Sequence, residues 1–509
     1  MKLKLVLLLF LLAKVVSGQS VFQKTYDFPS ATSTSRFIDA VFDSNGNMYI
    51  TGFLYQSFKG YLIFSKCDND GNLIWTKTYE GAGAINMFWS ADSNLIIWCY
   101  GGHPTGSNQR DFLFLKMDTT GIILTSKWYL SPNIEDFKLI KTIDGNYTAG
   151  GLMRDSNNIS SISLLKIDTA GNLVFSYQYS CPSILGIGAN MMLEDNVGNL
   201  YFTGYESDSI GYLNAAIFKL DSGGNILSNR VYVFPDYNGL SFGVFSDNKI
   251  VAAGSKSRLP TIQDALLLIV DTGLNLINGK KYYTNGSSFN ITGVSHFNND
   301  TTLLLKKSAG SVKIDFEGNI LSSQFYSVAI NSKANTIIKY DKSYLFVGSA
   351  NVPESCYLVK TDSSFHVNCY EGSASIMDSS FNTLITYSLN INKNPYAIIL
   401  VDTLAFLTTT PIVNNNNFCF GYTGLEDNLH VQFQTNVAYP NPFKDIINFN
   451  VQGFYAIEIY DLNGRFLKSI PTNGAATLQV DLPDLSPGVY VAAFKSLAKT
   501  LYKKIIKII

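Results

Sequence analysis

Eight Asp residues stand at the ends of apolar runs and recur at regular distances: Asp68, Asp118, Asp168, Asp221, Asp271, Asp315, Asp362 and Asp402. Repeated carboxylates could ligate a metal or share general acid and base work. The segments that carry them, such as FSKCDNDGN, LLKIDTAGN and IFKLDSGGN, place a Gly three residues after the Asp and often an Asn after that. In such a turn the first Asp accepts hydrogen bonds from backbone two residues on, and the Gly takes a positive φ. Each Asp thus has a conformational reason to be present. DNDGN, with Asp68 and Asp70, lacks the later acidic ligands and closing Glu of a calcium loop. The expected role is scaffold, with no metal or cofactor.

Other chemical signatures are sparse. GLSFG at 239–243 fits a serine-nucleophile pattern around Ser241, but falls where a strand is expected, with no helix to follow it. His103, His296, His366 and His430 show no metal spacing, and no phosphate-binding glycine loop is present. No catalytic residue is assigned. A hydrolase or lyase acting on polysaccharide or peptide through dispersed carboxylates remains the alternative to a binding protein.

The Asp separations are 50, 50, 53, 50, 44, 47 and 40 residues. Six units also carry a Tyr eleven residues after the Asp, from Tyr79 and Tyr129 to Tyr326. Each unit reads as four short strands of β-branched and aromatic residues, and a four-stranded unit of 40 to 50 residues is the blade of a β-propeller. The expected fold is all-β, with eight four-stranded blades favoured over seven. VFQKTY at 21–26 matches the last strand of a unit, LIWTKTY, but has no unit before it. It is expected to complete the final unit, around 376–402, and so close the ring.

Short Asp turns would gather on one face of the disc. The opposite face would carry GGHPTGSNQRD, GLMRDSNNISS, YESDSIGYLN and SKSRLPTIQD, read as long irregular loops. Binding residues favour such loops on a rigid scaffold. The candidates for holding a glycan or protein ligand are Tyr55, His103, Arg110, Arg154, Asp155, Glu206, Asp208 and Arg258.

Composition narrows the partners. With 15% charged residues and a net charge of −1 the chain lacks the basic stripe that nucleic acid requires. Its 13% aromatic content argues against disorder. MKLKLVLLLFLLAKVVSGQS reads as a secretory signal peptide, with cleavage expected after Gly18 and no transmembrane segment in the mature chain. Six Cys show no paired motif; Cys356 and Cys369 flank one turn at a spacing that allows a disulfide, the alternative being two buried thiols.

The expected organisation is a signal peptide at 1–18, a propeller at 19–402, a linker at 403–436 and a β-sandwich at 437–509. That last segment resembles the type A C-terminal sorting domain of Bacteroidetes type IX secretion cargo, through YPNPF, IEIYDLNGR, DLSPGVYV and the terminal KKIIKII. By position Pro440, Asn441, Pro442, Gly464, Arg465, Gly488 and Tyr490 carry the motif. The resemblance implies an immunoglobulin-like sandwich recognised by the type IX machinery, and release or surface attachment after periplasmic transit.

Overall fold

The computed structural model describes residues 19–423 and 438–508 apart from short stretches, of which 103–109 and 327–332 are the longest. All its regular elements are strands. They form a unit ending at Thr423 and a second within the last 86 residues.

The first unit is a propeller. Blade 1 runs from Thr34–Phe42 to Leu73–Glu80, and blades 2 to 5 repeat it, ending in Ile123–Leu130, Leu173–Ser180, Ile226–Val233 and Leu276–Tyr283. Blade 6 begins with Gly293–His296 and ends with Ile320–Tyr326. Blade 7 takes three strands from Lys333–Tyr340, Ser343–Asn351 and Glu354–Thr361. Its fourth is the N-terminal strand Gln19–Asp27, antiparallel to Glu354–Thr361 with Phe22 opposite Lys360. The ring therefore closes at seven blades rather than the favoured eight, with the N-terminal strand serving the unit before the expected one.

The segment read as an eighth blade does something else. Glu371–Gly372, Met377–Ser380, Ile385–Tyr387, Asn392–Pro395, Ile399–Asp402 and Thr408–Thr409 pair in turn with the last strands of blades 6, 5, 4, 3, 2 and 1. Asn414–Thr423 then pairs along the whole of Gln19–Asp27. The chain thus goes round the rim against the order of the blades and adds a fifth strand to each. Asp402 belongs to this belt, opposite Lys127, and residues 408–409 and 414–423, expected as linker, are strands of the propeller. A belt removes part of the open edge that a four-stranded blade presents to solvent.

The repeated motif now has a physical meaning. In KIDTAGN, Asp168 Oδ1 accepts the N–H groups of Ala170 (2.9 Å) and Asn172 (2.8 Å), while Oδ2 accepts the Asn172 amide (2.8 Å). Gly171 has φ 81°, the left-handed region that a side chain resists. Its carbonyl accepts a buried bond from Tyr129 of the preceding blade at 2.5 Å. The same clasp runs round the ring: Tyr26 to Gly71, Tyr79 to Gly121, Tyr179 to Gly224, Tyr232 to Leu274, Tyr282 to Gly318 and Tyr326 to Phe365. Seven clasps join seven blades, and the one from Tyr26 closes the circle.

Two residues before the Tyr, a cation often reaches the same turn, as Lys127 reaches Asn172 Oδ1 (2.5 Å) and Lys280 reaches Asn319 Oδ1 (3.0 Å). Blade 3 has Tyr177 at this place. There the belt supplies Lys393, whose ammonium sits 3.7 Å from the Tyr177 ring centre and donates to Asn225 Oδ1 at 2.9 Å. The belt's sequence is thus fitted to the blade it crosses.

Burial raises the Asp168 carboxyl, but the Asn172 backbone and side chain, with the Ala170 N–H, outweigh it and hold the group below its usual range. Asp118, Asp221 and Asp271 shift downward under the same balance. A depressed carboxylate contributes stability above its unfolded pKa of about 4 and loses it as pH falls through the folded value. The melting temperature is therefore expected to drop progressively below about pH 4. Replacing Asp168 by Asn should flatten that drop, as melts at successive pH values would show.

Candidate binding face

The strands run further towards the non-Asp face than the sequence suggests, so the expected long loops shrink. Tyr147–Arg154 and Ser160–Ile167 leave only residues 155–159 between them, and Leu200–Ser207 and Leu213–Leu220 leave 208–212. Lys249–Leu259 and Ile262–Asp271 leave two residues. In blade 1 the connection is Ser57 and Phe58, with φ 52° and 64°, a two-residue hairpin whose paired left-handed residues match the strand twist.

The eight candidates separate accordingly. Asp155 accepts the N–H groups of Asn157 and Ile159, and Asp208 those of Ile210 and Tyr212, all at 2.8 to 3.0 Å. Both repeat the turn role of Asp168. Glu206 is 1% exposed and accepts the Asn214 amide at 2.8 Å, its register partner on the next strand. The belt's Tyr387 bonds to Glu206, and burial, then that carboxylate, pushes its hydroxyl up to about 12. Arg154 is half-buried at the end of its strand, opposite Ser160. His103 and the side chains of Arg110 and Arg258 lie outside the described residues. Ser241 stands at the bulge in the innermost strand of blade 5.

Tyr55 leads to a group that the sequence reading left out. It is 41% exposed and stacks with Phe53, ring centres 6.5 Å apart at 23°. Phe53 meets Tyr100 of blade 2 at 6.0 Å, and the exposed Arg36 guanidinium lies 5.7 Å from the Phe53 ring centre. A Cβ on Gly83 would fall 2.6 Å from Phe53 Cδ2, so that glycine lets the ring lie across the blade boundary. Lys59 and Glu80 pair at 2.5 Å beside it, and Phe58, at the hairpin tip, is 93% exposed. The alternation of Phe53 and Tyr55 along the chain was the available signal; that Arg36 stands opposite Phe53 comes from the register. Aromatic faces with a nearby Arg combine apolar area with a charged donor at little entropic cost.

The second unit packs a sheet of Ala438–Tyr439, Ile446–Asn450 and Thr477–Asp481 with a sheet of Phe466–Pro471, Ala456–Asp461, Gly488–Lys495 and Thr500–Lys507. Its core holds Phe443, Ile447, Phe449, Ile457, Ile459, Phe494 and Ile505. Asn441 Oδ1 accepts the Ile506 N–H at 2.8 Å, and Phe443 exchanges backbone bonds with Ile506 and Ile508. The motif thus ties the start of the module to its last strand. Lys507 is 6% exposed, donates to the carbonyls of Leu482 (2.6 Å) and Pro483 (3.2 Å), and pairs with Asp445 at 2.9 Å. Tyr490 donates to Ser486 O at 2.6 Å, Gly488 opens its strand and Pro442 is exposed; Pro440, Gly464 and Arg465 lie outside the described residues.

Residues 437–508 match the family described as secretion system C-terminal sorting domain. This module resembles the type IX sorting domain. The sorting domain is an immunoglobulin-like sandwich and implies export to the cell surface or beyond. No helix among the described residues is long and apolar enough to cross a membrane. Among solved structures, the chain is similar to the WD40 domain of Neurospora crassa Pan2, at 13% identity and TM-score 0.41, over 68% of this chain and 97% of that one. It is also similar to Sqt1 from Chaetomium thermophilum, at 9% identity and TM-score 0.36, over 66% and 99%. No curated protein matches the chain.

Proposed function

We propose that this is a Bacteroidetes protein, delivered by its signal peptide and sorting domain to the outer surface or the medium, whose propeller binds a glycan or protein ligand. The observation that carries the reading is the Arg36, Phe53, Tyr55 and Tyr100 group, where aromatic rings and a guanidinium lie together at a strand end with Phe58 exposed at the adjoining tip. Aromatic and Arg side chains supply most of the binding energy in contacts of this kind. The acidic candidates on this face have structural partners: Asp155 and Asp208 hold turns and Glu206 is buried against Asn214. That favours binding over catalysis.

The purified full-length protein is tested on arrays of polysaccharides and of host and bacterial surface proteins. Tyr55→Ala and Arg36→Ala should each weaken the captured interaction by about tenfold, a loss of about 1.4 kcal/mol, with unchanged melting temperature. Failure of the parent protein to bind either array, or undiminished binding by both variants, removes the proposal.

A further inference from the structure

Three charged side chains are carried to the inner edge of the propeller by their strands. Asp39 lies on the innermost strand of blade 1 and Lys138 on that of blade 3. Lys306 lies on the second strand of blade 6, opposite Gly293. A Cβ on Gly293 would fall 1.9 Å from Lys306 Cε and 2.5 Å from Nζ. The lysine therefore runs over the glycine to the inner strand, a path any side chain at 293 would obstruct. No two of these blades are neighbours in a ring of seven, yet Asp39 is acted on electrostatically by Lys138 and Lys306, and Lys306 by the other two. Groups on non-adjacent blades come that close only across the central channel.

The carboxylate is held in place. Asp39 Oδ2 accepts the Met87 N–H of blade 2 and Oδ1 its neighbour Ala40's, both at 2.9 Å. In blade 2 Asn86 makes the comparable clasp, donating its amide to Leu139 O of blade 3 at 2.7 Å. The position therefore joins blades without requiring a charge, and the charge at Asp39 serves to steady the lysines.

We propose that Lys138 and Lys306, steadied by Asp39, form a site in the central channel for a small oxyanion, a carboxylate or a phosphate. Among the described residues the two ammonium groups outnumber the one carboxylate, and low-dielectric walls focus their field along the channel. An ammonium suits an oxyanion as a compact charge with three donors. Burial first, and then Lys138, push Lys306 down to about 7, with Asp39 opposing them; burial pushes Asp39 up to about 6. Lowering the pH from 8 to 6 protonates Lys306, so an anion binds more tightly at the lower value.

The test is calorimetric titration of the full-length protein with sodium acetate and, separately, inorganic phosphate. Acetate does not change charge between pH 6 and 8, so its affinity reports the protein alone. Binding of either anion is expected, with acetate about tenfold weaker at pH 8 than at pH 6 if it is the one bound. Lys306→Met, which keeps the stem over Gly293, and Lys138→Met should each weaken binding by tenfold or more. If neither anion binds the parent protein at pH 6, or if binding ignores both substitutions in folded variants, the site does not exist. Should the variants fail to fold, acetate binding to the parent that is unchanged between pH 6 and pH 8 overturns it equally.

Discussion

A chain trimmed to start after Asp27 is expected to lose the cooperative fold of the propeller. Val21, Phe22 and Tyr26 have no exposed surface, and their strand lies between Glu354–Thr361 on one side and Asn414–Thr423 on the other. Burying each such side chain contributes about 1.5–3 kcal/mol, and the Tyr26 clasp on Gly71 about 1 kcal/mol more. Three side chains and a clasp then amount to roughly 6–10 kcal/mol, comparable with the whole stability of a typical domain. The loss also opens the blade 7 to blade 1 boundary and leaves two strand edges facing each other with nothing between them, a template for aggregation. Phe22→Ala alone should cost about 3–5 kcal/mol. Denaturant unfolding followed by tryptophan fluorescence measures both. A trimmed chain that unfolds with the same midpoint and slope as the parent would show that the ring does not depend on this strand.

The same strand shows what could be read in advance. Its likeness to LIWTKTY was legible because the clasp Tyr and the Lys before it are dictated by the neighbouring turn, whichever part of the chain supplies them. The belt was not legible. Its pieces are two to four residues long until Asn414–Thr423, too short for alternation to register, and IILVD imitates the end of a third strand because Ile399–Asp402 also pairs at a sheet edge. An extra unit of nearly the right length was the natural misreading. On the other face, loop lengths were overestimated because Asp155 and Asp208 make the same compact turn as Asp168, without the spacing to an Asn that marked most of the others. The aromatic group escaped because Phe53, Tyr100 and Arg36 come from three strands of two blades, which only the register brings together.

Deleting residues 437–509 should have the opposite character: a folded propeller delivered to the wrong place. The sorting domain has its own core, while the propeller's sheets are complete by Thr423. The truncated chain should therefore keep its melting temperature within a few degrees and accumulate in the periplasm. Within the sorting domain, Lys507→Ala strips the Leu482 and Pro483 carbonyls of a charged donor, the bond to the buried Leu482 carbonyl contributing about 1.5–3 kcal/mol. It also removes the pairing with Asp445. Asn441→Ala frees the Ile506 N–H and loosens the last strand from the start of the module. Both variants should lower surface delivery in proportion to the loss of sandwich stability, whereas Tyr55→Ala, on the propeller, should be delivered normally. Fractionation with antibody to the propeller separates these outcomes. Normal surface delivery of the 437–509 deletion would show that export of this chain does not use the sorting domain, and equal loss for Tyr55→Ala would show that delivery tracks the propeller instead.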